Sequence, residues 1–189
     1  MADQSERTLS ETTPESQPEV TMSNIWVISD THFEHDNIKK LCYRPDDYNE
    51  QIMADWREKV KPTDVVLHLG DVAWPRGWGY IKDLPGKKIL IRGNHDGKSM
   101  FNLMSKGFDL CVESLVLKIE GRMIEFTHVP RIFHEYDINV CGHLHNMQLA
   151  NVESICPHYV IRLEEQGYGV QNLADLWPKL KAEIHKAGK

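Results

Sequence analysis

Apolar and β-branched residues gather in short runs at Ile25–Ser29 (IWVIS), Asp64–Leu69 (DVVLHL) and Lys88–Arg92 (KILIR). Each run is strand-sized and closes on a turn residue, which predicts buried strands. Between the first two, Ile52, Met53, Trp56 and Val60 recur at helical spacing and predict a helix over Asp47–Val60. Asp47 and Glu50 form a potential capping pair, and Pro62 follows the end. A short helix is expected over Lys98–Lys106, closed by Gly107, and a hairpin over Glu113–Ile119 and Arg122–Thr127 about the turn Glu120-Gly121. Ile138–Gly142 predicts one more strand and Asn151–Cys156 another. Near the C-terminus Leu173, Leu176, Trp177, Leu180 and Ile184 make an amphipathic stripe, and Pro178 places the helix start near Asp175. Strands alternating with helices, then a hairpin region, predict mixed sheets covered by helices.

Composition narrows the class. The chain has 189 residues, 41% hydrophobic and 26% charged, enough for one domain with an appendage. No apolar run is long enough to span a bilayer, and the first twenty residues lack a secretory signal's apolar stretch. Cys42, Cys111, Cys141 and Cys156 are widely spaced, so a disulfide framework or thiolate zinc site is not expected and a cytoplasmic location is. The net charge of −6 disfavours stable nucleic-acid binding. Met1–Val20 holds five acidic residues against one basic and few apolar ones. Residues 1–22 are therefore expected to be a disordered acidic tail, and 23–189 the folded domain.

The chemistry-bearing residues sit directly after strands. Asp30-Thr31-His32 follows the first, Gly70-Asp71 the second and Gly93-Asn94-His95-Asp96 the third. His128 ends the hairpin and Gly142-His143-Leu144-His145 ends the next strand. Carboxyl ends of strands are where α/β sheets bind ligands, because the chain opens there into loops over a rigid scaffold. The pairs Asp30/His32 and His143/His145 have i, i+2 spacing, which in extended chain points both side chains to one side. Five such groups in succession point to a metal or phosphate site more strongly than any of them alone.

The order D-x-H, G-D, G-N-H-D, H, G-H-x-H resembles the calcineurin-like metallophosphoesterase superfamily from Trp26 to about His145. The opening SDTHFEHDNI is similar to a compact bacterial and phage group whose usual form has Gly where Glu34 stands. The continuation GDVAWPRG lacks the D-R-G element of the phosphoprotein-phosphatase branch. The resemblance implies an α/β fold, a four-layer α-β-β-α sandwich of two mixed β-sheets flanked by helices. It also implies Asp30, His32 and His145 on one divalent metal and Asn94, His128 and His143 on a second, with Asp71 bridging. Oxygen and imidazole donors suit manganese first, with iron, zinc, nickel or magnesium as alternatives. Hydroxide between the two metals would attack phosphorus, His95 would protonate the leaving group, and Asp96 would orient His95.

Two roles are open to His35, a phosphate contact or a helix start, and two to Arg44 and Arg131, a forked phosphate contact or an exposed surface charge. Trp74 and Trp78 either stack a substrate base or pack on the domain. His68, alternating with Leu67 and Leu69, is expected as a hydrogen-bonded core residue. The expected activity is hydrolysis of a small soluble phosphodiester. The alternatives are a phosphomonoesterase or nucleotide pyrophosphatase, a nuclease, and a non-catalytic scaffold, since one branch of the superfamily is a retromer subunit. The sequence leaves the oligomeric state open.

Overall fold

The computed structural model describes residues 21–97, 99–133, 135–146 and 156–188. The chain runs β1 (Ile25–Ile28), α1 (Asp36–Leu41), α2 (Tyr48–Lys59), β2 (Val65–His68), α3 (Trp78–Asp83), β3 (Lys87–Ile91) and α4 (Met100–Ser105). It continues through β4 (Leu110–Val112), β5 (Leu115–Ile119), β6 (Arg122–Phe126), β7 (Ile138–Cys141), β8 (His158–Val160), β9 (Gln171–Asn172) and α5 (Leu173–Lys186). One sheet has the order β4-β3-β2-β1-β9, parallel except for antiparallel β9. The other has the order β5-β6-β7-β8, with the hairpin antiparallel and the remaining pairs parallel. Both sheets are mixed and carry helices, the α/β sandwich class that the sequence predicts.

Alternating strand faces divide the apolar residues into two cores. Ile28, Val66 and Leu90 face a core filled by Ile38 of α1, Ile52 and Trp56 of α2, Ile81 of α3 and Leu103 of α4. Val27, Leu67 and Ile91 face the second sheet, where they meet Ile124, Phe126, Ile138 and Val140. Leu173, Leu176, Trp177, Leu180 and Ile184 of α5 join that second core.

Several local expectations need correction. Asp47 makes no cap hydrogen bond, since its φ of −96° and ψ of 19° lie outside the extended region a cap requires. Its Oδ1 accepts from Gln51 Nε2 at 2.9 Å instead. α4 starts at Met100, capped by Ser99, whose Oγ accepts from Asn102 N at 3.2 Å. α5 begins at Leu173 rather than near Asp175, because Asn172 Oδ1 accepts from Ala174 N at 3.0 Å. Pro178 therefore lies inside the helix, and the buried stripe offsets the hydrogen bond it removes. Residues 151–155 of the proposed strand lie outside the described residues, and the nearest described strand is β8. The acidic segment 1–20 lies outside them too. Thr21 and Met22, expected in the tail, belong to the fold: Met22–Asn24 is a 3-10 turn and Met22 packs on the second core. Among the described residues no helix is long and apolar enough to cross a membrane.

Candidate metal centre

The loops after β1 and β2 run side by side. Asp30 N donates to Gly70 O, His32 N to Asp71 O and Phe33 N to Val72 O, each at 3.0 Å. Asp30, His32 and Asp71 adopt positive φ of 53°, 45° and 55°, and His143 and His145 adopt 70° and 45°. The i, i+2 pairs thus converge through left-handed backbone rather than through the extended chain that the spacing suggested. Such residues cost about 1–3 kcal/mol each and persist only where the surroundings hold them. Tyr48 of α2 supplies part of that hold, its OH donating to His32 O at 2.6 Å. Gly142 supplies another part, because a Cβ there would overlap Ser29 Oγ and Asp30 Oδ2.

Two groups of donor atoms result. Asp30, His32 and His145 offer atoms within 4.8 Å of one another, and so do Asp71, His128 and His143. Asp71 Oδ2 lies 3.7 Å from His32 Nε2 and 3.4 Å from His128 Nε2, between the groups. Asn94 Oδ1 lies 2.9 Å from His128 Nε2. Asp30 Oδ2 accepts from Ser29 Oγ at 2.5 Å and from His143 N at 2.9 Å. Its Oδ1 is buried without a hydrogen bond, 3.6 Å from His145 Nε2 and 4.0 Å from His32 Nε2. A buried carboxylate oxygen left unpaired among imidazole nitrogens is costly alone and suited to a cation. The residues present fit the divalent metals that the motif implies.

Partners outside each group fix the rings. His128 Nδ1–H donates to Leu69 O at 2.7 Å, which leaves Nε2 facing Asp71. His145 Nδ1–H donates to Glu164 Oε1 at 3.0 Å, which leaves Nε2 facing Asp30. This carboxylate support orients the ring and raises its basicity. Burial opposes a charge on His145, but hydrogen bonds to Cys42 and Glu164 and the nearby Asp30 push its pKa up to about 10. Burial would raise Asp71, yet His128 and the His95 N–H bring it down to about 2. Burial raises the Asp30 pKa and is the main cause holding His32 down at about 2.

Three proposed roles change. Arg44 does not face the cleft: its buried guanidinium donates to Thr31 O, Asp30 O and Glu164 Oε1 at 2.9, 2.8 and 2.7 Å. With its donors spent there it holds the ligand loop and leaves no fork for phosphate. Asp96 makes no hydrogen bond to the His95 ring among the described residues. Its carboxylate accepts from the backbone N–H groups of Asp71, Val72 and Gly93 at 2.9, 3.0 and 2.8 Å, fastening the loops after β2 and β3 together. Trp78 packs on the first core with Lys106 Nζ 3.9 Å from its ring centre.

Trp74 and His35 stack at 3.8 Å and 13° on the rim of the site, with the Trp74 ring 5.8 Å from the His95 ring. His35 also precedes α1. His95 donates its backbone N–H to Asp71 Oδ1 at 2.9 Å, and its ring lines a cleft with His32 and Asp71. His68 is buried between Thr31 Oγ1 and Gly70 N, at 2.9 and 3.2 Å. Glu34, with a φ of 61°, holds Asn49 Nδ2 and Tyr80 OH at 3.1 and 2.8 Å. Glu164 and Cys42, which form a further donor group with His145, carry no motif that would have singled them out.

Residues 23–159 match the sequence model of the Calcineurin-like phosphoesterase superfamily domain. An uncharacterized protein of Methanocaldococcus jannaschii is 28% identical over 181 residues, 83% of this chain and 100% of that protein. The Gene 66 protein of Mycobacterium phage L5 is 36% identical over 90 residues, 43% of this chain and 44% of that protein. Among solved structures, a protein of unknown function from Aquifex aeolicus shares the fold. Its TM-score is 0.68 at 24% identity, over 82% of this chain and 98% of that one.

Proposed function

The chain belongs to the calcineurin-like phosphoesterase superfamily, and from that premise we propose a metal-dependent phosphodiesterase acting on a small, soluble, nucleotide-like ester. The observation that carries this reading is Asp71 Oδ2, set between His32 Nε2 at 3.7 Å and His128 Nε2 at 3.4 Å. One carboxylate shared by two donor groups is the arrangement for two divalent ions. Asp30, His32 and His145 would hold one and Asn94, His128 and His143 the other. Bound there, the ions, manganese foremost, would activate the attacking water and neutralise charge on the phosphoryl oxygens.

The chain's own groups do the rest. Asp71 is held by the His95 N–H through Oδ1, so its Oδ2 stays aimed between the imidazoles. Glu164 and Leu69 O keep the rings of His145 and His128 turned inward. His95 stands over the same cleft and gives a proton to the departing oxygen, a contribution of about 10²–10⁴-fold where that oxygen is strongly basic. His35 and Trp74 form the rim against which the substrate body rests. Cys42, Cys111 and Cys141 are buried free thiols, which suits a reducing cytoplasm.

Hydrolysis of bis(4-nitrophenyl) phosphate and 4-nitrophenyl phosphate, before and after chelation and with manganese returned, tests the reading. The expected result is metal-restored activity favouring the diester. Preference for the monoester would replace it with a phosphomonoesterase.

A further inference from the structure

The cavities flanking the donor groups differ in chemistry. On the α1 side a cleft of about 400 Å³ is walled by Ile38, Leu41 and Cys42, opposite His32, Asp71 and His95. Leu41 is 67% exposed at its mouth. On the other side a groove of about 250 Å³ is lined by Asn94, His128, Arg92, Arg131 and the acidic Glu113. His95 lines the first cavity and not the second.

The two arginines are not equivalent. Arg92 is spent on Glu113, with Nε and Nη2 at 2.9 and 2.7 Å from Oε1. Arg131 has its Nε near a carboxylate, 3.6 Å from Glu125 Oε1. That contact pairs it with a buried carboxylate whose pKa burial raises and the guanidinium lowers, while half of the side chain stays exposed. Its backbone is anchored, since Arg131 N donates to buried Asn139 Oδ1 at 3.1 Å and its carbonyl accepts from the His158 ring. A half-exposed guanidinium, anchored at Nε by Glu125 and in its backbone by Asn139, suits an anion at its exposed edge.

We propose that the substrate is an asymmetric phosphodiester: its retained arm carries a second anionic group held by Arg131 in the Asn94–His128 groove, and its leaving arm is apolar or aromatic and lies against Ile38 and Leu41 beneath His95. The proposal rests on the phosphodiesterase reading and adds the direction of cleavage. Water adds its oxygen to phosphorus, and the P–O bond to the apolar arm breaks with its electron pair on oxygen. That oxygen takes a proton from His95, which the proton released by the water restores. The products are an apolar alcohol or phenol and a monoester bearing the second anion.

Calorimetric binding to the manganese-loaded protein reads the groove without turnover, using thymidine 5′-monophosphate and thymidine 3′,5′-bisphosphate. The bisphosphate should bind about tenfold more tightly or better, the gain expected of one charge-assisted hydrogen bond. Arg131→Ala should remove that advantage. Leu41→Asp should keep it and raise KM for bis(4-nitrophenyl) phosphate by about fivefold or more, because a carboxylate would face the aryl arm. Equal affinities in the wild type, or an advantage that survives Arg131→Ala, would overturn the groove assignment. An unchanged KM in Leu41→Asp would overturn the leaving-arm assignment. Discrimination without turnover of any diester would overturn the hydrolytic reading and the direction of cleavage, and would support the groove.

Discussion

His95 contributes a ring to the cleft and a backbone N–H to Asp71, so a side-chain substitution isolates the first role from the second. His95→Ala should lower kcat on an alkyl diester by about 10²–10⁴-fold, and far less on a nitrophenyl diester whose leaving group needs no proton. Rates on both substrates, with metal content quantified, check this; equal losses would remove His95 from proton donation. Glu164→Gln should weaken metal binding about 10–100-fold by loosening His145, read by metal titration. His68 carries a pH dependence. Burial holds its pKa down from 6.5 to about 3, so the unfolded chain binds the extra proton between those values. Stability is therefore intact above pH 6.5 and falls as the pH drops, by about 2–3 kcal/mol at pH 4.5. Asn in its place keeps an acceptor for Gly70 N and does not titrate, so His68→Asn should show a flatter dependence of melting temperature on pH. At this scale the residues of the two donor groups could be singled out in the sequence because each motif is local. The roles of Arg44 and Glu164 could not: their partners lie 14 and 19 residues away in one direction and 120 in the other, beyond any spacing rule.

The strands that carry the site stood out in sequence because each holds a run of apolar residues that the fold buries wholly or in part, such as Ile25–Ile28 of β1 and Val65–Leu67 of β2. α1 and α3 did not, since each has six residues and buries one apolar side chain, Ile38 or Ile81. β4 and β9 are short edge strands with no pattern of their own, recognisable only beside β3 and β1. The turn at Glu120-Gly121 was legible because both positions take positive φ, 47° and 83°, as a two-residue hairpin requires. Trp74 and Trp78 stand four residues apart, and only the fold sends one to the rim and the other to the core. Packing between the loop after β7 and that after β1 is tight at Gly142. Gly142→Ala should therefore destabilise the protein by about 1–3 kcal/mol and weaken metal binding together, since Ser29 and Asp30 must move. Thermal melts with metal titration check this, and an unperturbed site would mean the loops yield without cost.

Across the whole molecule, two sheets direct their loop-bearing ends to one region, so residues from Asp30 to His145 meet although the chain between them builds both cores. Segment 1–20, acidic and poor in apolar residues, lies outside the matched family region. Its deletion should leave melting temperature and turnover unchanged, and a large loss of either would assign it a contact with the domain. The shared carboxylate of Asp71 binds these elements into one reading, and metal stoichiometry tests it most directly. Elemental analysis of manganese-loaded protein, paired with diester hydrolysis on the same samples, should find about two ions per wild-type chain with turnover. Asp71→Asn should remain folded, bind fewer ions and lose turnover, because an amide cannot bridge two cations as a carboxylate does. Full hydrolysis in excess chelator by protein with no bound metal would contradict it.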